Sequence, residues 1–279
     1  MLVAGLLFAC MGVLVKYGAA QFSSSELVFY RSFFGLFVVY AMLHRSPVAL
    51  ATQHWRGHLW RGLSGTIAML LFFYCITVLP LATAITLNYT SSLFLSALTV
   101  LVLKEKFHLP LTGSLAIGFA GVVLLLHPTL EQNQLWPGLL GLVSGMLAGV
   151  ALLNVRQLSV LGEPGMRVVF YFNLTATLVS GAWMLTDTLH PVSFADLPLL
   201  IGLGASATFA QLFMTRAYRT GQTLVVGSLA YSTIVFSALF GLLLWHESLS
   251  PGAWLGIALI IASGMLSLRL APTNTEASK

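Results

Sequence analysis

Apolar residues fill this chain in runs about as long as a bilayer is thick. Polar or Pro/Gly breaks divide them into stretches at 2–20, 26–44, 59–79, 81–103, 109–127, 136–157, 166–186, 196–218, 222–245 and 251–270. A helix rising about 1.5 Å per residue needs about 20 residues to cross the hydrocarbon, so each stretch predicts one span. Backbone polar groups in lipid must be satisfied internally, which makes these spans helices. The runs are continuous rather than alternating, which excludes the strands of a barrel. The expected fold class is an all-α integral membrane protein with ten transmembrane helices. Pro80 and Thr220-Gly221 leave so little between neighbouring spans that they predict antiparallel hairpins.

The pattern repeats. Tyr89-Thr90-Ser91 leads, sixteen residues after the Tyr, to Glu105, and Tyr231-Ser232-Thr233 leads at the same interval to Glu247. Each Glu is followed by a Pro (Pro110, Pro251) and then by two glycines eight apart, Gly113 and Gly121, then Gly256 and Gly264. Val28-Phe29-Tyr30 is echoed by Val169-Phe170-Tyr171. Five spans per half is an odd number, so the second half is expected to enter the membrane upside-down. This 5+5 inverted-topology repeat divides the chain into 1–127, an extracytoplasmic linker 128–135, 136–270 and a disordered cytoplasmic tail 271–279. Such repeats build many secondary carriers, with substrate near mid-membrane between the halves.

Charge sets the expected direction. With the N-terminus cytoplasmic, Arg45, Arg56, Arg61, Lys104, Lys106, Arg156, Arg167, Arg216, Arg219, Arg269 and Lys279 fall on the cytoplasmic side, and only Lys16 and Arg31 on the other. The positive-inside rule then places both termini inside. Net charge of +5 is thus a topology signal, with no soluble surface on which a nucleic-acid patch could cluster. Charged residues make up only 8% of the chain against 58% hydrophobic, too few to cover a soluble core. The first twenty residues lack the positive n-region of a signal peptide. Cys10 and Cys75 sit in apolar runs, and the seven His have no metal-ligand spacing, so neither a disulfide nor a metal site is expected. Without a Gly-rich phosphate loop, ATP drive is not encoded, and no other cofactor is implied. The sequons at Asn88 and Asn173 fall inside spans and are discarded.

Ten spans, the inverted repeat, the Val28-Phe29-Tyr30-Arg31 start of the second span and the Glu closing the fourth and ninth spans resemble the EamA branch of the drug/metabolite transporter superfamily. The resemblance implies a cavity lined mainly by spans 1, 3, 4, 6, 8 and 9, with spans 5 and 10 as packing helices. It also implies a small-molecule substrate, for the family includes exporters of amino acids and carriers of riboflavin and S-adenosylmethionine. A bacterial inner-membrane location follows from the same likeness.

Polar groups at membrane depth are costly, so each needs a reason. Tyr74, Asn88, Tyr89, Ser92, Gln211, Tyr231 and Ser232 are the candidate substrate-binding residues, forming a ring of uncharged donors and acceptors. Asn88 and Gln211 either line a pore or tie helices together, and the tyrosines either line it or anchor at interfaces. Phe72, Phe73, Phe209, Phe213, Met69 and Met214 are expected to pack or face lipid. Lys16 and Arg31 lie close enough to the outer boundary to snorkel, with Lys16 a candidate anion attractor. Asn154 and Arg156 form either an inner gate or a topology anchor. Glu105 and Glu247 are boundary carboxylates, too shallow for a proton relay of the usual kind.

The reading is a secondary-active transporter exporting an amino acid or similar amphipathic metabolite by alternating access, as monomer or homodimer. The alternative within the class is uptake of a vitamin or nucleoside-like compound. A membrane-embedded enzyme would need a nucleophile with its base, or a metal cluster, at depth, and neither is visible. A non-transporting receptor or scaffold would usually carry soluble interaction segments, and there are almost none.

Overall fold

The computed structural model describes residues 1–79, 81–103, 109–126, 134–186, 189–245 and 250–270, with side chains at 76, 77, 81–83, 103, 125, 126, 245 and 268 excepted. Twelve α-helices run in chain order: α1 (Leu2–Gly18), α2 (Ser24–His44), α3 (Trp55–Val78), α4 (Leu81–Tyr89), α5 (Ser91–Leu103), α6 (Leu109–Leu126), α7 (Leu135–Val160), α8 (Gly165–Met184), α9 (Leu197–Thr220), α10 (Thr223–Ala230), α11 (Ser232–Trp245) and α12 (Pro251–Leu270). One 3-10 turn, Phe194–Asp196, precedes α9. No strand occurs among the described residues. Five stretches, Ser24–His44, Ala84–Val102, Leu135–Val160, Phe194–Thr220 and Thr223–Leu244, are long and apolar enough to cross a membrane. Shorter apolar helices lie at Leu2–Gly18, Leu109–Leu124 and Pro251–Ser267.

The expected stretches and the helices coincide to within a few residues, with two exceptions. The fourth stretch is broken at Thr90, between α4 and α5, and the ninth at Tyr231, between α10 and α11. At each break the ladder tightens: Thr90 N–H bonds Leu87 O at 3.2 Å and Tyr231 N–H bonds Ser228 O at 3.3 Å. The Thr90 hydroxyl also donates to Leu87 O at 2.5 Å, competing with the backbone for that acceptor. At Gly221, which ends α9, the N–H bonds Ala217 O at 2.8 Å, and α10 begins two residues on. Pro80, Glu105, Glu247, the 271–279 tail and most of the 128–135 linker lie outside the described residues.

Helices of the first half pack chiefly on helices of the second. The most extensive pairings are α6 with α12, α3 with α7, α2 with α8 and α1 with α9, followed by α1 with α11 and α5 with α7 among others. Exchanging the halves turns α3–α7 into α1–α9 and α1–α11 into α5–α7, while α2–α8 and α6–α12 map onto themselves. The α6–α12 pair is held by small residues. Ser114 donates to Ser263 O (2.8 Å), Ser263 donates to Ser114 O (2.7 Å), and Ser114 and Ser267 share a further bond. Gly118 leaves room for Ser263 and the Tyr231 ring, and Gly121 for the Gly256 carbonyl. These are the close small-residue contacts expected where no water drives helices together.

Candidate functional site

Two breaks in helices meet at a cluster of phenols. The rings of Tyr89 and Tyr231 lie 6.1 Å apart, tilted at 48°. The Tyr89 phenol pairs with the Thr233 hydroxyl, while the fully buried Tyr231 phenol faces Ser92 without a well-formed hydrogen bond. A third phenol, Tyr218 on α9, joins them, buried and without a hydrogen-bond partner. Ser232 at the start of α11 sits against Gly5 of α1, where a Cβ would come within 2.7 Å of its hydroxyl. Tyr89, Ser92, Tyr231 and Ser232 are therefore brought together, and Tyr218 was not expected there. It lies seven residues beyond Gln211 on the same helix face, which is the signal that could have found it.

The other candidates separate. Asn88 turns toward α7: its Nδ2 donates to Ser144 Oγ at 3.3 Å, and Ser144 donates to Ala68 O at 2.8 Å. This chain of bonds ties α4, α7 and α3 together, so Asn88 joins helices. Tyr74, 42% exposed, lines a cavity of about 410 Å³ at the α1–α2 end of the bundle with Ser23, Ser24, Leu70 and Trp183. Lys16 is exposed near the end of α1, and Asn154 and Arg156 are half-buried on α7. Of the aromatic and Met neighbours, Phe209 and Phe213 are exposed and Phe73 is buried.

Gln211 is buried with its Nε2 unpaired. It belongs to a polar ladder on α9, with Thr208, Thr215 and Tyr218 at helical spacing, all buried. The ladder leads from the phenols to the crossing of α2 and α8. There a Cβ on Gly35 would come within 2.8 Å of both Asn173 Nδ2 and Thr208 Oγ1. Asn173 Nδ2, Ser32 Oγ, Thr215 Oγ1 and the Tyr218 hydroxyl lack partners too. Buried polar groups without partners typically cost about 1–3 kcal/mol each. The unpaired groups fall in a line that runs through α2, α8 and α9, and so lie on spans 2 and 7 as well as on span 8.

Two arginines depart from their expected places. Arg61, counted among the cytoplasmic charges, is only 3% exposed, with its Cζ 4.1 Å from the centre of the Phe172 ring. Arg31, expected to snorkel, is 7% exposed, and its Nη1 donates to Met69 Sδ at 3.0 Å. Counting residues from a helix end ignores that these side chains follow the helix face inward.

Each end of the bundle carries a clasp that sequence reasoning missed. At the α1–α2 end, Glu26 takes part in a capping box with Ser23. Its carboxylate accepts from His190 N–H at 2.7 Å and meets His190 Nδ1 at 2.9 Å. At the α2–α3 end, Glu163 accepts from Thr52 Oγ1 (2.6 Å) and Arg167 Nη1 (2.8 Å), and its Oε2 lies 3.2 Å from His58 Nε2. Burial alone would raise the Glu163 carboxyl, but the Thr52, Arg167 and His58 contacts outweigh it and hold it below its ordinary value. In both clasps a carboxylate at the start of the second span of one half is gripped by residues beyond the second span of the other. The Ser23-x-x-Glu26 spacing was the one readable hint.

The EamA-like transporter family matches the chain twice, over residues 1–127 and 135–269. The chain belongs to the EamA-like transporter family. Among the relatives of this EamA protein, the pseudopaline exporter CntI of Pseudomonas aeruginosa is 31% identical, the match covering 94% of this chain and 90% of the relative. The S-adenosylmethionine uptake transporter of Rickettsia prowazekii is 26% identical over 89% of this chain and 84% of its own length. The riboflavin transporter of Rhizobium johnstonii is 25% identical over 96% and 89%. A crystal structure of a protein 20% identical superposes with a TM-score of 0.84, covering 96% of this chain and 95% of the other, which establishes the fold. The EamA chain is thus an integral membrane protein of a transporter family, with lipid as its surroundings and a small molecule as the expected cargo.

Proposed function

We propose that the protein is a secondary-active carrier of a small metabolite, working by alternating access between two inverted five-helix halves. The observation that carries this reading is the buried seam of unpaired polar groups, from Ser32 and Asn173 through Gln211 to Tyr218, lying between halves that each match the same family. The paired breaks at Thr90 and Tyr231 support it, because discontinuous helices commonly frame the substrate site of inverted-repeat carriers. The reciprocal clasps supply the gates. Opening the α1–α2 end requires Glu26 to release His190, and opening the α2–α3 end requires Glu163 to release Thr52 and His58. Substrate at the seam favours whichever state closes round it, and rocking exchanges the two openings.

In this reading the chain crosses a bacterial inner membrane ten times. Both termini are cytoplasmic, and a reporter fused after Arg269 is expected to behave as cytoplasmic; a periplasmic signal would invert the topology. Export of an amino-acid-like, amphipathic metabolite is the favoured direction, since the relative at 31% identity is an exporter. Uptake of a vitamin or nucleoside-like compound is the second reading, favoured by the S-adenosylmethionine uptake relative at 26% and the riboflavin transporter at 25%.

Flux of labelled amino acids, vitamins and nucleosides in proteoliposomes tests the reading. Wild-type protein is expected to move at least one class, and Gln211→Leu to reduce that flux at least tenfold while still inserting and purifying normally. Absence of flux for every class, under any gradient, would remove the carrier proposal.

A further inference from the structure

Two cations lie buried in the bundle with no carboxylate paired to them among the described residues. Arg31 on α2 and Arg61 on α3 are 7% and 3% exposed. Their guanidinium groups are near enough to repel each other. Arg61, Gly65 and Met69 fall at intervals of four on one face of α3. The Arg61 Nη1 rests against Gly65, and Arg31 reaches Met69, one turn further along. Arg31 Nε, Arg61 Nε and Arg61 Nη1 all lack hydrogen-bond partners. Their remaining company is soft: a thioether for Arg31 and the face of Phe172 for Arg61.

The carboxylates among the described residues are spoken for. Glu26 is engaged by His190, Glu163 by Arg167 and Thr52, and Asp196 by Ser193 and Gln21. A buried ion without a counter-ion is strongly unfavourable, and two neighbouring like charges are worse. A thioether and a ring face offset only part of that cost. Intramembrane ionisable groups of this kind usually mark the path of a substrate or ion. A guanidinium is also the side chain whose planar fork of donors matches a carboxylate or phosphate. Leu70, the next residue after Met69, lines the cavity with Ser24 and Tyr74.

We propose that Arg31 and Arg61 form an oxyanion-binding pair, so that the substrate carries a carboxylate or phosphate group held between α2 and α3. This deepens the carrier reading and rests on it. Asn173 Nδ2, facing Gly35 one turn along α2 from Arg31, is placed to add a neutral donor. The apolar remainder of the solute would lie toward Phe172.

Three oxyanions and their controls decide the matter: N-acetyl-leucine against its neutral amide, succinate against neutral succinamide, and inorganic phosphate against an equal ionic strength of chloride, which is no oxyanion. In the purified full-length protein, at least one oxyanion is expected to raise the melting temperature by several degrees, and its counterpart not at all. Arg31→Gln and Arg61→Gln should each weaken that response at least tenfold, and Arg31→Lys and Arg61→Lys should retain part of it. A response to phosphate alone supports the pair and assigns it to phosphate esters; a response to carboxylates alone assigns it to carboxylates. Equal responses to oxyanions and their controls in the wild type would overturn the proposal, and that reading does not depend on any variant folding. Proteoliposome flux separates the two levels of inference. Movement of the neutral amides, unchanged in Arg31→Gln, would leave the carrier standing without the pair. An oxyanion-specific thermal shift with no flux of any solute would leave the pair standing without the carrier.

Discussion

Gly145→Ala is expected to lower the stability of the protein by about 2 kcal/mol, and Gly145→Leu to abolish the folded state. In an ordinary helix interior, Gly to Ala gains up to about 1 kcal/mol of helix propensity. Here the sign reverses. A Cβ at Gly145 would strike the Thr90 hydroxyl and come within 2.5 Å of the Leu87 carbonyl. That carbonyl belongs to the tightened turn between α4 and α5, so the obstacle is backbone and cannot rotate away. Gly141 and Gly149, one turn to either side, receive Leu87 and Phe94 in the same manner. The face of α7 is thus moulded to a broken helix, and filling it should straighten or expel α4. Gly12→Ala supplies the control, because its Cβ would meet nothing within 4 Å. Thermal unfolding of detergent-purified protein should separate the two alanines clearly. Equal melting temperatures would mean that α7 does not press on the break.

The helices were legible because membrane helices obey a length rule and a continuous apolar pattern. The breaks were not, because Thr90 and Tyr231 carry neither Gly nor Pro at the bend. Their trace is the repeated hydroxyl triplet, Tyr89-Thr90-Ser91 and Tyr231-Ser232-Thr233, which marks the repeat without dictating a bend. Which way Asn88 faces depends on its neighbour, and Ser144 lies 56 positions away. The clasps were invisible for a stronger reason. Glu26 and His190 are 164 positions apart and Glu163 and Thr52 are 111 apart, in opposite halves, and no local pattern joins them. Arg61 counts as a cytoplasmic anchor because the positive-inside sum treats every cation as a surface group. A basic residue near a span end can also extend along its helix into the core, and only packing against Phe172 distinguishes the two outcomes.

Glu163→Ala is expected to loosen the α2–α3 end by about 3 kcal/mol, the loss anticipated when a buried carboxylate leaves charged partners unmatched. The position is built for the role. Gly162, at φ +80°, ends α7 in a left-handed turn, with Glu163 N–H on Leu158 O (2.9 Å) and Gly162 N–H on Ser159 O (3.1 Å). That turn aims the carboxylate at Thr52 and His58 of the first half while Arg167, one helical turn on, holds it from the second. About 3 kcal/mol corresponds to a roughly hundredfold shift toward the opened state. With Cys10 and Cys75 replaced, a cysteine at the buried Leu158 should react with maleimide roughly hundredfold faster when Glu163 is Ala. Acidity should reproduce the effect. The folded Glu163 carboxyl lies below its ordinary value of 4.5, so its contribution is complete above that value and is lost as pH falls through the folded one. Divided by the rate for Glu163→Gln at the same pH, which cancels the falling thiolate fraction, wild-type labelling should therefore rise toward parity on acidification below about pH 4.5. A wild type as reactive as the alanine variant at neutral pH would mean that the loop stands open without the carboxylate's release, and the gate would have to be sought elsewhere in the bundle.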